Sequence, residues 1–356
     1  MSWQKVLVNR RCALTGESHE TATAALRSSV SALPTAQLAR HRALVTKQQV
    51  PSPFNLDPEV SLTVRTAVLP DAIARPQIDL EAGLMEAITR AVHHLHTHPE
   101  ASLTRPAEVI RSVTPLPDRL QLHVHPVAVA PLLYETLPFA FQETVSGIEG
   151  LRIRSHRRST ELFLVDAPDA RVELVGVGRA ARCAAEAYQA VRNRDTDSGV
   201  SLADVTPDRL SREETLSLES SGRAFGPVGL ASGLLRRIGV LCQTLWIQTW
   251  PTGCTHFNVE WPGDTPRRPQ VGLAPADPVF GIRGATIGTA PDLTFPNTHL
   301  GCSHGDPCAT QHLRFRFTDL PSEDSSSHTA LAGFKAGARP AWDAWRETFG
   351  DSSGEA

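Results

Sequence analysis

Thiols and imidazoles gather in the last third of this chain: Cys254, His256, His299, Cys302, His304, Cys308 and His312. Five of the seven fall between residues 299 and 312. Sulfur and imidazole nitrogen are the ligands zinc prefers, so zinc is the cofactor these residues point to. Direct ligands would come from Cys302, Cys308 and His312, with one of His304, Cys254 or His256 completing the set. Four protein ligands would make the ion structural, whereas an open position beside Glu260 would make it catalytic. The spacing fits none of the regular zinc signatures.

Strand alternation gives these residues a common face. In the run from Cys254 to Trp261, Thr255, Phe257, Val259 and Trp261 point one way, and Cys254, His256, Asn258 and Glu260 the other. In the run from His312 to Thr318, Leu313, Phe315 and Phe317 form a core face, with His312, Arg314 and Arg316 opposite. If the two strands share a sheet, one face collects a thiol, two imidazoles, a carboxylate and two guanidinium groups. The plainer alternative is the solvated face of a one-sided sheet beside a His-rich loop. A cysteine hydrolase is a third reading of the same place. Cys254 or Cys302 would be the nucleophile, His256 or His299 the base, and Asn258 or Asn297 the group that orients it.

Positive charge is concentrated in two places. Residues 1–50 carry seven Lys/Arg against Glu17 and Glu20, a local excess of five although the whole chain has net charge −3. Arg10, Arg11, Arg40 and Arg42 belong to this segment, and Arg152, Arg154, Arg157 and Arg158 form the other dense patch. Guanidinium groups on a strand face can grip phosphates, which makes nucleic acid a candidate partner and another protein the alternative. The same face carries Gln121, His123, His125 and His156, and an ordinary solvated sheet face explains it equally.

Val172–Ala181 has the outline of a strand, a G-x-G-x-x-A turn and a helix. That resembles a dinucleotide fingerprint, but the flanking strands read as an antiparallel meander. The expected reading is a tight strand-to-helix turn with no cofactor. His93, His94, His96 and His98 close a long helix, where imidazoles suit the free carbonyls and the dipole. There is no P-loop, no G-x-S-x-G, no H-E-x-x-H and no paired Cys-x-x-Cys.

The elements that must position these groups follow from periodicity. A chain of 356 residues with 41% hydrophobic content can bury substantial cores and exceeds one ordinary domain. The expected fold is α+β. A basic helical lead-in occupies residues 1–50, with one helix capped by Thr15 and another over Thr35–Gln48. An α/β body with an antiparallel sheet spans 51–194: a strand at 60–69, a helix over 79–96, a short helix capped by Thr104, strands at 119–125, 151–156, 160–166 and 171–176, and a helix at 179–193. An acidic connection follows at 195–226. A β-rich body at 227–320 opens with a helix over Pro227–Leu241, has strands at 243–250, 254–261, 279–287 and 311–318, and carries the Cys/His loop. Trp342 and Trp345 mark a C-terminal amphipathic helix at 328–349.

Three lysines stand against 32 arginines, the bias of translation from a GC-rich bacterial genome. No apolar run is long enough for a signal peptide or a membrane span. The six cysteines are scattered, which suits reduced thiols in cytoplasm. Two function classes stay open: a binding or regulatory protein with a Cys/His zinc site, and a metal- or thiol-dependent enzyme at the Cys254/His256/His312 face.

Overall fold

The computed structural model describes residues 3–30, 33, 62–97, 110–125, 128–141, 144–177, 199–223, 227–241, 248–252, 256–262, 277, 279–282, 286–287, 292–296 and 310–318. Helices and two larger sheets combine in an α+β architecture. The expected helices at 35–48, 179–193 and 328–349, and the one capped by Thr104, lie outside the described residues.

The lead-in opens with two helices, α1 (Trp3–Thr15) and α2 (His19–Val30). Thr15 therefore ends a helix instead of capping one. Its hydroxyl bonds back to the Arg11 carbonyl at 2.8 Å, and the Ser18 hydroxyl receives the Thr21 N–H at 3.1 Å instead. Glu17 does not serve the helix dipole, because the buried Arg11 side chain claims it at 2.6 Å. The segment expected as a strand at 60–69 forms α3 (Leu62–Val68). Its β-branched composition suggests a strand, but Val64 and Val68 are four residues apart and bury one helical face. That face joins Leu7, Ala22, Leu26, Val30 and Phe280 in a core of its own.

At the centre lies α4 (Arg75–Thr97), with Pro76 tolerated in its first turn. Leu80, Leu84, Ile88 and Ala91 are buried as their spacing predicts, and Ala82, Met85 and Ala87 are buried as well. A helix buried on nearly every side belongs inside a molecule. The first sheet has five strands in the order β1-β2-β7-β6-β5. They are β1 (Ile110–Pro115), β2 (Leu120–Val124), β5 (Leu151–Ser155), β6 (Ser159–Leu164) and β7 (Ala167–Val175). β5, β6 and β7 form the expected antiparallel meander, but β7 also pairs parallel with β2, so the sheet is mixed. β1 escapes sequence reading because a register shift between Ile110 and Ser112 breaks its alternation. Between β2 and β5 lie α5 (Val129–Thr136), β3 (Phe139–Phe141) and β4 (Thr144–Ser146).

The acidic segment is folded onto the first sheet. It contains β8 (Gly199–Ser201), paired with β3, then α6 (Leu202–Val205) and α7 (Arg212–Ser221). Ser211 and Glu214 close a capping box that starts α7. The apolar helix expected at 227–241 is α8 (Val228–Leu235), followed by a 3-10 turn over Ile238–Leu241. The second sheet runs β11-β12-β13-β10-β9. Its strands are β9 (Gln248–Thr252), β10 (His256–Pro262), β11 (Thr286–Ile287), β12 (Asp292–Pro296) and β13 (Thr310–Thr318). Residues 279–282 of the expected 279–287 strand are not extended. There the Asp277 carboxylate accepts the Val279 and Phe280 N–H groups at 2.8 and 3.0 Å. One apolar core takes in α4, the first sheet, α5 and α8, and continues to Phe257, Val259 and Ile282.

Within that core sits a charge. Glu81 of α4 and Arg236 just after α8 are both 0% exposed and pair at 2.6 Å. The Glu81 carboxylate accepts twice from Arg236, once from Ser232 at 2.7 Å and once from Gln77 at 2.7 Å. The remaining Arg236 donor reaches the carbonyls of Pro70 and Leu116 at 2.8 and 3.0 Å. Breaking such a pair on one side leaves a buried charge without compensation, at a cost of about 3–5 kcal/mol. Glu81→Ala should therefore lower the unfolding free energy measured in urea by that order. Glu81→Leu combined with Arg236→Met should recover a large part of the loss. A double variant as unstable as the sum of its single changes would show that the pair acts through something other than its charges.

Candidate functional site

The strands that carry the sequence-predicted metal residues are neighbours. β10 and β13 pair parallel, with His256 opposite His312, Asn258 opposite Arg314 and Glu260 opposite Arg316. Adjacent strands are about 4.8 Å apart, so the two histidines occupy one row of one face. β12 adds Thr294 beside His312 and Asp292 beside Arg314, and β9 adds Thr252 beside His256. Around the histidine row the positions are thus polar from strand to strand, and in the next row Arg314 stands between Asp292 and Asn258. The opposite face meets the core, where Phe257 and Val259 are buried and the Thr249 and Thr89 hydroxyls lie 3.0 Å apart. His256 is half-buried and Asn258 is only 1% exposed. Burial of Asn258 means this face is not the fully solvated one that an isolated one-sided sheet would present.

Cys254, His299, Cys302, His304 and Cys308 lie outside the described residues, as does the side chain of His312. Among the described residues no group of three or more His, Cys, Asp or Glu is clustered to hold a metal ion. The two sequence-predicted ligands whose backbone is described, His256 and His312, stand in register on neighbouring strands.

The predicted basic surface comes apart. Arg11 is 2% exposed and donates to Glu17 and to the Val68 carbonyl at 2.7 Å. Arg152 is equally buried, and it donates to Glu214, to the Thr206 carbonyl at 2.8 Å and to the Arg209 carbonyl at 2.8 Å. Neither guanidinium is available to a phosphate. Arg10 pairs with Asp277 at 3.2 Å, and Arg40 and Arg42 lie outside the described residues. Arg154, Arg157 and Arg158 remain exposed.

Two carboxylates missed in the sequence reading sit in the middle of the first sheet's outer face. Glu161 and Glu173 are directly opposite on β6 and β7. Facing like charges are unfavourable unless matched. Here Gln121 donates to Glu173 at 2.9 Å, while Arg154 and His156 lie 3.3 and 3.1 Å from Glu161. Partial burial would raise Glu173, but hydrogen bonds from Gln121 and Ser159 hold its carboxyl below the ordinary range. Burial lowers His123 despite Glu17 and Glu173, which disfavours a cationic imidazole on this face. Alternation along β6 and β7, applied to the acidic as well as the basic residues, would have exposed this arrangement.

Comparison with known proteins finds no matching family model, curated protein or solved structure.

Gly176 has φ +83°, a conformation glycine adopts without strain, and it turns the chain after β7. All five strands of that sheet precede it. Among the described residues, no later strand joins the sheet to complete the β-α-β unit that a dinucleotide requires. The side chains of His93, His94 and His96 and all of His98 lie outside the described residues. No helix among the described residues is long and apolar enough to cross a membrane.

The Arg152–Glu214 clamp gives the molecule an acid-sensitive joint. Burial pushes Glu214 upward, but hydrogen bonds from Arg152 and from the Ser211 and Gly150 N–H groups, with the Arg152 charge, hold its carboxyl below the ordinary value. A depressed folded pKa stabilises above the unfolded value, and that contribution is lost as pH falls through the folded one. Glu149 beside it is shifted the other way, raised by burial despite the Ser217 hydroxyl, so acid relieves its cost. Glu214→Gln should lose about 3 kcal/mol near neutrality, because Arg152 is left buried without its partner. Its melting temperature should then fall less steeply than the parent's between about pH 5 and about pH 3. Parallel acid limbs for the two proteins would rule the joint out.

Proposed function

We propose that this chain is a zinc-binding protein of the binding or regulatory kind, with the metal at the row shared by His256 and His312. The observation that carries the reading is their in-register parallel pairing. Two imidazoles on one zinc ion bind at about 2.0–2.1 Å each, so their nitrogens must come within roughly 4 Å, which strands about 4.8 Å apart allow. With His256 as the fourth ligand, the remaining two would be thiolates from Cys302 and Cys308, on the chain that leads into β13.

A structural ion suits this row better than a catalytic one. Glu260 is four residues along β10 from His256, about 13 Å at the strand rise. A general base must reach within about 3 Å of the proton it takes. From that register, Glu260 is poorly placed to activate a water on an ion held by His256 and His312. Four protein ligands would instead fasten the loop before β13 to the sheet, and binding energy would appear as folding energy.

Elemental analysis of protein purified without chelator should give close to one zinc per chain. Replacing both His256 and His312 by Ala should remove most of it. Chelation should lower the melting temperature of the parent protein and leave that of the double variant unchanged. Protein that is folded yet binds no zinc on titration, or a double variant with full zinc content, would overturn the reading.

A further inference from the structure

The described arginines are mostly satisfied from within. Arg11, Arg152, Arg236 and Arg237 are buried on carboxylates and carbonyls, and Arg10, Arg75, Arg90, Arg119, Arg171 and Arg223 each hold a carboxylate at the surface. The β5–β6 hairpin departs from this pattern. Residues 154–158 are exposed throughout and read Arg-Ser-His-Arg-Arg. Glu161 answers Arg154 and His156. No acceptor among the described residues engages the side chains of Arg157 and Arg158.

The place of those two residues is unusual. The His156 N–H donates to the Ser159 carbonyl at 2.8 Å, so Arg157 and Arg158 are the two-residue tip of the hairpin. Such tips favour Asn, Asp or Gly, whose backbones accept the required turn. Two adjacent arginines are poor turn chemistry and add mutual repulsion. Departures from a local rule are expected where function asks for them. The tip is also anchored: the Gly176 N–H donates to the Arg158 carbonyl at 3.0 Å. Behind it, the Arg154 guanidinium carbon lies over the half-exposed Phe163 ring, 4.4 Å from its centroid.

We infer that the β5–β6 hairpin tip, Arg157–Arg158 with the Arg154–Phe163 stack behind it, is a docking point for the phosphate backbone of single-stranded nucleic acid. Guanidinium groups form paired hydrogen bonds with phosphate oxygens, which an ammonium cannot do. The arginine–aromatic contact behind the cations offers a surface on which an unpaired base can lie. An acidic protein segment would use the charges but not the stack. The inference is independent of the zinc reading, because no residue is shared between the two sites.

Fluorescence anisotropy of a labelled oligothymidylate mixed with the full-length protein at low salt tests it. Binding should occur at micromolar protein. Arg157→Ala with Arg158→Ala should weaken it at least tenfold without moving the melting temperature. The slope of log affinity against log salt should fall by about 1.4, the single-strand value for two phosphate contacts. Phe163→Leu should weaken binding while leaving that slope unchanged. Three outcomes would overturn the inference: no binding at micromolar protein, a double-arginine variant that binds as well as the parent, or equal displacement of the oligonucleotide by polyglutamate of matched charge.

Discussion

A carboxylate is buried on the central helix of this protein, and much of the architecture answers to it. Glu81 cannot meet water, so its oxygens must be satisfied by groups that the fold delivers to fixed positions. Two suppliers come from α8 and its end, and the third, Gln77, stands one turn back on α4 itself. Ser232 lies on α8 and Arg236 just beyond it, and Gln77 exchanges hydrogen bonds with the Arg171 backbone of β7. Arg236 in turn fixes the chain at Pro70 and the turn between β1 and β2 at Leu116. A buried pair of this kind adds little net stability over apolar packing, but it penalises every arrangement in which its donors are absent. Its effect is to set the position of α4 relative to α8 and the first sheet. Because β9 and β10 rest against the same core, it also bears on where the histidine row sits.

The same device recurs with other partners. Arg11 joins α1 to the end of α3, Arg152 joins β5 to the segment before α7, and Arg237 joins α8 to residues 280–281. In each case one planar group with five donors spans a carboxylate and one or more carbonyls. A lysine, with one compact ammonium, could not serve those directions at once. A composition with 32 arginines and three lysines therefore has a structural use whatever its genomic origin. Glycines perform the complementary task of close approach. A Cβ on Gly239 would come within 2.7 Å of the Leu14 carbonyl and the Gly16 nitrogen, so the 3-10 turn can abut the end of α1 only without one.

Much of this was legible in the sequence, for identifiable reasons. The apolar stripe of α4, the β5–β6–β7 meander and the strands around His256 and His312 follow from periodicity, which depends on local spacing alone. The pairing of β10 with β13 did not, since register between distant strands is set by tertiary packing. Helix α3 was misread because its β-branched residues indicate a strand when taken without the neighbouring α2. The burial of Arg11 on its helix and of Arg152 on its strand was hidden for a related reason: a guanidinium looks solvent-facing until its carboxylate, here 62 residues away for Arg152, is brought alongside. Glu161 and Glu173 were in plain view and would have changed the reading of the basic face.

The parallel pairing of β10 with β13 also has a temporal side. β10 leaves the ribosome well before its partner, because residues 263–309 must be made in between. At about 5–20 residues per second that interval lasts roughly a few seconds. Throughout it, the side of β10 that will receive β13 is an open row of backbone donors and acceptors. An open strand edge is a template for pairing with other chains. The second sheet is thus exposed to misassembly during synthesis, and slower elongation through 263–309 would lengthen that exposure.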